Sequence, residues 1–457
     1  MRLIIIILIF FSFKNLAQSQ VTFEDIDFAS YEQFIQNDFE NIKETGKTAL
    51  ENNIDYYFLR MRLGIVGYNH QKYEYALPHF EKAYEFYPAD TLVQEYLYYA
   101  YLFTNRPENA AVFAEKMNES FRKKVAFKKK KIDAISLGFS AFLNDNIDKK
   151  RDLNLTDKYN NGSHAVINGS TYGQNLLILK TLKNPRFHIY NKFSIFQTES
   201  LAMFQRDTNA FDRKIEVNNV KNVSNLHFQN NFGLTYMSQK DFFVSAACGF
   251  FQTSTSEIFI DTVESSKSDV KYGEIDLVYK NISISSSIGK RFRYFTPLLS
   301  VTYSNLFKTD STKNNQFQGE FSLTYFPFKT RNIYFGTSFA LLKNYNRDTL
   351  QKIFTQKIGF KCNKWLWIAA KFSLGNHSNY MTDNGFNVYN TFDPIHLNTG
   401  FDLHFFRKKL ELILSYSFQR KEGYYEKFQT LTNVNVVTKV PFNYSNNNIS
   451  TTLKWNF

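Results

Sequence analysis

The 457-residue chain has only two cysteines, Cys248 and Cys362, and only eight prolines and eighteen glycines. Two cysteines cannot build a disulfide framework, so each is expected to be a small apolar packer within a strand. Beyond the first residues no run approaches the roughly 20 consecutive apolar positions that a spanning helix needs, which excludes a helical membrane protein. Gly-rich phosphate loops, paired metal ligands and zinc spacing are also lacking, so no cofactor is expected. His377 beside Ser378 is the nearest approach to a catalytic pair. Adjacent strand residues point to opposite faces, however, and the chain is not read as an enzyme. The histidines His70 and His79 are expected on helix surfaces.

Aromatic residues, by contrast, are abundant: 49 Phe and 29 Tyr, with only three Trp. Such residues favour half-buried pleated surfaces, which points to extensive β-structure. The net charge is +13. The first residues, "MRLIIIILIFFSFKNLAQSQ", set a basic Arg2 before an apolar run and end in the small-x-small signal Ala17-Gln18-Ser19. That pattern reads as a secretory signal peptide over residues 1–19, the alternative being an uncleaved anchor. An exported chain rarely meets nucleic acid, so the positive charge is directed to membrane headgroups or acidic polymers.

Residues 20–126 carry helical spacing. In "YEYALPHFEKAYEFYP" the positions Tyr73, Ala76, Leu77, Phe80, Ala83 and Tyr84 share one face, Pro88 stops the helix, and Asp90 is placed to cap the next. Ala49 and Ala83, and likewise Ala76 and Ala110, are 34 positions apart. On Leu63, Gly64, Ala76, Phe80, Ala83 and Pro88 this segment resembles the tetratricopeptide family, whose period is 34 residues. Residues 22–55 and 90–123 match only in part. The resemblance implies a helical stack that offers a surface to a periplasmic protein partner; the alternative is a plain helical spacer. In "RKKVAFKKKK" seven of ten positions are basic. Residues 127–131 are therefore read as a basic linker, and Lys128 to Lys131 as a collar facing anionic headgroups.

From residue 132 the period changes to two. Ile135, Leu137, Phe139, Ala141 and Leu143 oppose Ser136, Gly138 and Ser140; Phe321, Leu323 and Tyr325 oppose Glu320, Ser322 and Thr324. Long alternating strands in an exported chain predict a transmembrane barrel of about 14 antiparallel strands over residues 132–457. The strands are expected to begin near residues 132, 170, 186, 226, 241, 270, 295, 316, 332, 350, 365, 395, 410 and 446. The sixth changes phase between Tyr279 and Ile282 and is either one long bulged strand or two short ones. Even-numbered connections are short; the odd ones include long loops at 144–166, 201–225, 255–269, 378–394 and 421–445. This asymmetry puts the short turns, the helical domain and a girdle of Trp365, Trp367 and Trp455 at the periplasmic side.

Alternation turns Lys357, Lys361 and Lys371 inward on two adjacent strands, and Asp402, His404 and Glu411 on the next two. They form either a charged lumen wall that guides an ionic solute or a polar network plugging a narrow barrel. Periplasmic tetratricopeptide repeats before an outer-membrane barrel resemble bacterial exopolysaccharide exporters. That likeness implies a channel or exporter for a polymer or solute, possible partners being a polysaccharide, outer-membrane lipid and the barrel assembly machinery. The alternative is a non-conducting scaffold that recruits periplasmic proteins. The closing strand "STTLKWNF" places Leu453, Trp455 and Phe457 towards lipid, and its terminal Phe resembles the signal that outer-membrane barrels present to that machinery.

Overall fold

The computed structural model describes residues 21–144, 162–210, 213–263, 270–305, 315–328, 331–345, 349–383, 387–388, 393–431 and 434–457. The expected leader and the tip of the 144–166 loop lie outside the described residues. The chain divides into two compact units, Met1–Lys128 and Lys129–Phe457.

Among the described residues of the first unit are seven helices: α1 (Phe23–Ile35), α2 (Phe39–Glu51), α3 (Tyr57–Asn69), α4 (Tyr73–Phe86), α5 (Thr91–Phe103), α6 (Pro107–Lys116) and α7 (Glu119–Lys124). Helices α1, α3 and α5 begin 34 residues apart, and so do α2, α4 and α6. The turns within the pairs repeat at the same interval, with Asn37, Gln71 and Asn105 each at positive φ. Three helical hairpins thus stand in register, although residue identities outside the central one match the repeat only in part. The reason is that the period is carried by small buried positions and by turn geometry. Ile42, Ala76 and Ala110 occupy equivalent buried sites, as do Ala49 and Ala83. Gly64 lies against Phe80: a Cβ there would sit 2.5 Å from the ring, so glycine is what allows α3 and α4 to approach. Asp90 caps α5 by accepting from the N–H of Leu92 at 2.7 Å.

Fourteen antiparallel strands close into the barrel: β1 (Ala134–Asn144), β2 (Gly162–Thr181), β3 (Phe187–Ala210), β4 (Arg213–Met237), β5 (Phe242–Val263), β6 (Val270–Lys290), β7 (Phe295–Ser304), β8 (Gln316–Tyr325), β9 (Ile333–Asn344), β10 (Thr349–Lys361), β11 (Leu366–Gly375), β12 (Ile395–Arg407), β13 (Leu410–Leu431) and β14 (Val434–Asn456). Each pairs with its sequence neighbours, and β14 returns to β1 in the register Ile135↔Trp455, Leu137↔Leu453. The N–H of Phe457 donates to the carbonyl of Asp133 at 2.9 Å, extending the seam to the last residue. Closure leaves no unpaired edge, which a spanning sheet requires. The outward set is apolar and exposed, including Leu137, Phe139, Ile284, Leu299, Phe321, Phe339, Ile449 and Leu453. The inward set is polar and largely buried, including Ser136, Asn231, Ser283, Thr302, Gln318 and Thr355. That is the inside-out pattern of a transmembrane barrel.

Several expectations require correction. Residues 201–225 and 421–445 are not loops. They continue β3 and β4 to the pair Ala210↔Arg213, and β13 and β14 to Leu431↔Val434. Antiparallel pairing satisfies their backbone, but beyond the lipid band nothing demands an apolar outward face, so the period-two signal fades. The sixth strand shows the same effect. β6 is continuous, and the one register shift against β5 lies at Ile260/Thr262 of β5. Its outward face carries Glu274, Asp276 and Lys280, then Ile282, Ile284 and Ile288. The phase change therefore marks where the strand leaves the membrane.

The outer ends of β13 and β2 also pair, Glu426↔His164 to Phe428↔Gly162. Trp365 and Trp455 are exposed near the short turns, but Trp367 faces the lumen, stacked on Tyr334 with ring centroids 6.0 Å apart. Asn363 Oδ1 accepts from the N–H groups of Trp365 and Leu366, each at 2.9 Å, so Trp365 belongs to the turn and its phase is not that of the strand. Both cysteines are free and exposed, Cys248 on the outward face of β5 and Cys362 in a short turn, so neither is a buried packer. His79 is buried beside Arg60, Nδ1 lying 3.1 Å from the guanidinium, and is not a surface histidine.

Candidate functional site in the barrel lumen

At the end of β11 the chain turns into the barrel. Gly375 makes this possible: it has φ +119°, and a Cβ there would lie 2.1 Å from the carbonyl oxygen of Lys352. The following residues settle against the inner wall. Tyr380 is 2% exposed and packs on Ala340, Leu342 and Ile353 of β9 and β10. Its hydroxyl donates to Glu320 of β8 at 2.9 Å. Gln318 clamps the backbone of Met381 on both sides, accepting from its N–H at 3.0 Å and donating to its carbonyl at 2.6 Å. Gln316 donates to the carbonyl of Asn379 at 2.8 Å. Asp383 lies within electrostatic reach of both Glu320 and Lys192, which faces inward from β3.

Both legs of the segment are anchored. In the first, His377 is fully buried, with Nδ1 2.7 Å from the carbonyl of Ile395 and Nε2 2.6 Å from Ser373 Oγ. A carbonyl only accepts, so this pattern assigns the proton to Nδ1 and leaves Nε2 to accept from the serine. The partner of His377 is Ser373 rather than Ser378, and the pair is closed to any solute. In the return leg, Tyr444 donates to Asp393 at 2.5 Å, Lys421 lies 5.8 Å from the Tyr444 ring centroid, and Glu422 N–H donates to the carbonyl of Pro394 at 3.0 Å. Residues 377–381 are thus a built part of the lumen, packed against β8 to β11.

The six inward charges divide into two groups. Lys357 and Lys371 are register partners on β10 and β11, facing each other across the pair. Like charges directly opposite are unfavourable, and Glu320 of β8 lies within electrostatic reach of Lys357. Lys361 stands opposite Trp367 near the short-turn end, and Asp402 opposite Ala369 and Ser415. Glu411 instead closes a network, 2.9 Å from His404 and 3.0 Å from Lys454. Desolvated charges are tolerated when paired in this way, so this end of the wall is stitched together rather than offered to a solute. Sequence reasoning missed Gln316, Gln318 and Tyr380, because nothing local distinguishes a segment folded inward from one standing outside.

In the helical unit, Leu63, Ala76, Phe80 and Ala83 are fully buried, whereas Pro88 lies in the α4–α5 turn. Apolar side chains are nevertheless exposed along the first helices of the hairpins: Phe28, Tyr31 and Ile35 on α1, Phe58 on α3, and Leu92 and Phe103 on α5. Asp27 links α1 to α3, accepting from Tyr56 and from Arg62, each at 2.7 Å. The Tyr56 hydroxyl above all, with Arg62, holds this carboxyl below the usual carboxylate range. Arg60 does the same for Asp55 through two bonds, at 2.6 and 2.8 Å. Burial among aromatic rings pushes the Tyr68 phenol up to about 12.

No family description and no curated protein sequence matches the chain. Among solved structures it is similar to the toluene transporter TodX of Pseudomonas putida, at 9% identity and a TM-score of 0.41 over 73% of this chain and 91% of that one. A Pseudomonas aeruginosa FadL homologue gives 10% identity and 0.41 over the same shares. A bacterial polysaccharide outer membrane secretin gives 7% and 0.34 over 71% of this chain and 98% of that one.

Proposed function

We propose that the protein is an outer-membrane channel or exporter whose lumen is narrowed by the inward residues Asn376 to Asp383, with the helical hairpins as a periplasmic docking domain for a protein partner. The observation that carries this reading is the segment itself. A barrel serving only as an anchor has no need of residues 376–383 seated in its interior and fastened there by side chains of the wall. Among the described inward side chains, Lys192, Lys357, Lys361, Lys371, Lys421 and Lys454 stand against Glu320, Asp383, Asp393, Asp402 and Glu411, a small cationic excess that favours a solute bearing negative charge. The 34-residue register of the hairpins supports a tetratricopeptide-like stack, and its exposed aromatic side chains suit an apolar segment of a partner.

The test is single-channel recording from planar bilayers, comparing the parent chain with one in which residues 378–392 are replaced by a short Gly-Ser link. A channel shows conductance that rises when the segment is removed. Silence from both proteins, each inserted and folded, refutes the channel. It would leave the second reading, a closed scaffold. A scaffold should still retain a periplasmic protein in a pull-down that fails when Phe28, Tyr31 and Ile35 are replaced by Ser.

A further inference from the structure

The outward face of β6 carries Ile282, Ile284, Ser286 and Ile288 between Lys280 at one end and Lys290 at the other. The two lysines are ten residues apart. At about 3.3 Å per residue and a tilt of about 40°, that spacing spans roughly 25 Å along the membrane normal, the height of the apolar band of a barrel. Lys290 therefore stands where hydrocarbon gives way to headgroups, at the short-turn rim. We infer that Lys290, with the exposed turn around Arg293, is a binding site for the phosphodiester headgroup of an anionic glycerophospholipid. The inference rests on the outward face meeting lipid and holds whether or not the lumen conducts.

The ammonium group is held in place by rings. Lys290 Nζ lies 4.4 Å from the centroid of Phe242, its register partner on β5, and 4.9 Å from that of Phe292 in the β6–β7 turn. Phe292 is stacked in turn on Phe295, the first residue of β7, with centroids 4.6 Å apart. All three rings are exposed. Ring faces attract an ammonium group without using up its three N–H donors, which remain able to meet phosphate oxygens. A lysine already held over two rings also gives up less conformational entropy on binding. Towards the bilayer, Ile288 pairs with Val244 of β5 and with Leu299 of β7, and all three are exposed. They offer an apolar track to the acyl chains of a lipid whose headgroup rests on Lys290. Charge supplies the preference for a negative headgroup. The backbone N–H of Arg291 donates to the carbonyl of Asp241 at 3.0 Å, pinning the β6–β7 turn to the β4–β5 turn. Arg291 and Asp241 cancel in formal charge, so the excess of these two turns lies on Lys240, Lys290 and Arg293. A zwitterionic headgroup presents the same phosphate but adds a cation, which that excess repels. In the sequence Lys290 only opens a short connection; the ring of Phe242, on another strand, is what fixes its place.

The test is native mass spectrometry of the folded full chain in neutral detergent, titrated separately with dioleoylphosphatidylglycerol and dioleoylphosphatidylcholine. The parent is expected to take up its first phosphatidylglycerol at lower concentration than its first phosphatidylcholine. Lys290→Gln/Arg293→Gln should weaken phosphatidylglycerol about tenfold or more and erase the preference, since each charge beside an anionic headgroup is worth about fivefold. Phe292→Leu keeps every charge but removes one ring beneath Lys290, and should weaken it about two- to fivefold. Lys364→Gln/Lys408→Gln removes the same charge from exposed positions in two other short turns and should bind as the parent does. Should the double variant not fold, Lys290→Gln alone must still weaken phosphatidylglycerol. Equal affinity of the parent for the two lipids, or equal losses in the Lys290 and Lys364 double variants, overturns the assignment. Lipid uptake is measured without conduction, so this inference and the channel reading fail separately.

Discussion

Tyr380→Ala strikes the inward segment where its hold is greatest. The substitution removes a ring packed on Ala340, Leu342 and Ile353 and the hydroxyl bonded to Glu320. Truncating a buried aromatic costs about 3–5 kcal/mol. What then holds the tip is three hydrogen bonds from Gln316 and Gln318, each worth about 1 kcal/mol. A loss of about 4 kcal/mol shifts the ratio of inward to released states roughly a thousandfold. In planar bilayers the variant should open more often and to larger conductance than the parent. In proteoliposomes the segment should become sensitive to thermolysin. Adding Gln318→Ala should increase both effects, since it removes the two bonds to Met381. Parent-like conductance together with parent-like protease resistance, in a variant that retains heat-modifiable mobility on a gel, would refute the reasoning.

Four further outcomes are expected. Phe80→Ala should destabilise the helical unit by about 3–5 kcal/mol, seen as lost hydrogen-exchange protection in α3 to α5 while barrel peptides stay protected. Because Asp27 is depressed in the folded state, its stabilising contribution is fully present above the unfolded value near ~3.9 and is lost as pH falls through the lower folded value. Protection of α1 relative to α5 should therefore decline in acid below about pH 4, and Asp27→Asn should reduce that pH dependence, the rest coming from the capping Asp25. Charge reversal at Lys357 and Lys371 together should shift the reversal potential in a salt gradient towards cations; an unchanged value would remove these lysines from any conduction path. Deleting Phe457 should slow assembly into the membrane far more than it destabilises inserted barrels, measured by pulse-chase folding against thermal denaturation.

The strands were legible wherever a single rule governed both faces. In β1 and the C-terminal half of β14 outward positions are mostly apolar and inward ones mostly polar, and in β9 the outward set alone keeps that rule, so Ile135, Phe339 and Leu453 announce their side by sequence parity. Parity fails where the environment changes along one strand. Glu274, Asp276 and Lys280 share a face with Ile282 and Ile284, and only pairing to β5 shows that the strand is unbroken. In the helices, the central hairpin was visible from Gly64, Ala76, Phe80 and Ala83. Its neighbours kept the 34-residue period through turns at Asn37 and Asn105 whose positive φ leaves no strong mark in the sequence. The candidate site was legible in part: Lys357 and Lys371 follow from alternation, whereas their register pairing and the neutralisation of Glu411 by His404 and Lys454 do not.

By itself, the sequence determined that this chain spans a bilayer with strands, because the solvent on each side of a barrel wall writes its preference at every second residue. It also determined that a helical segment precedes the barrel, because apolar positions recurring at steps of three and four demand a helix. Only the tertiary structure decided what occupies the interior. The course of residues 376–383 depends on Gly375 leaving the wall and on Gln316, Gln318 and Glu320 meeting it some 60 positions away in the chain. Contacts made across that separation leave no period in the sequence, since each is a meeting of single residues rather than the repeated demand of one environment.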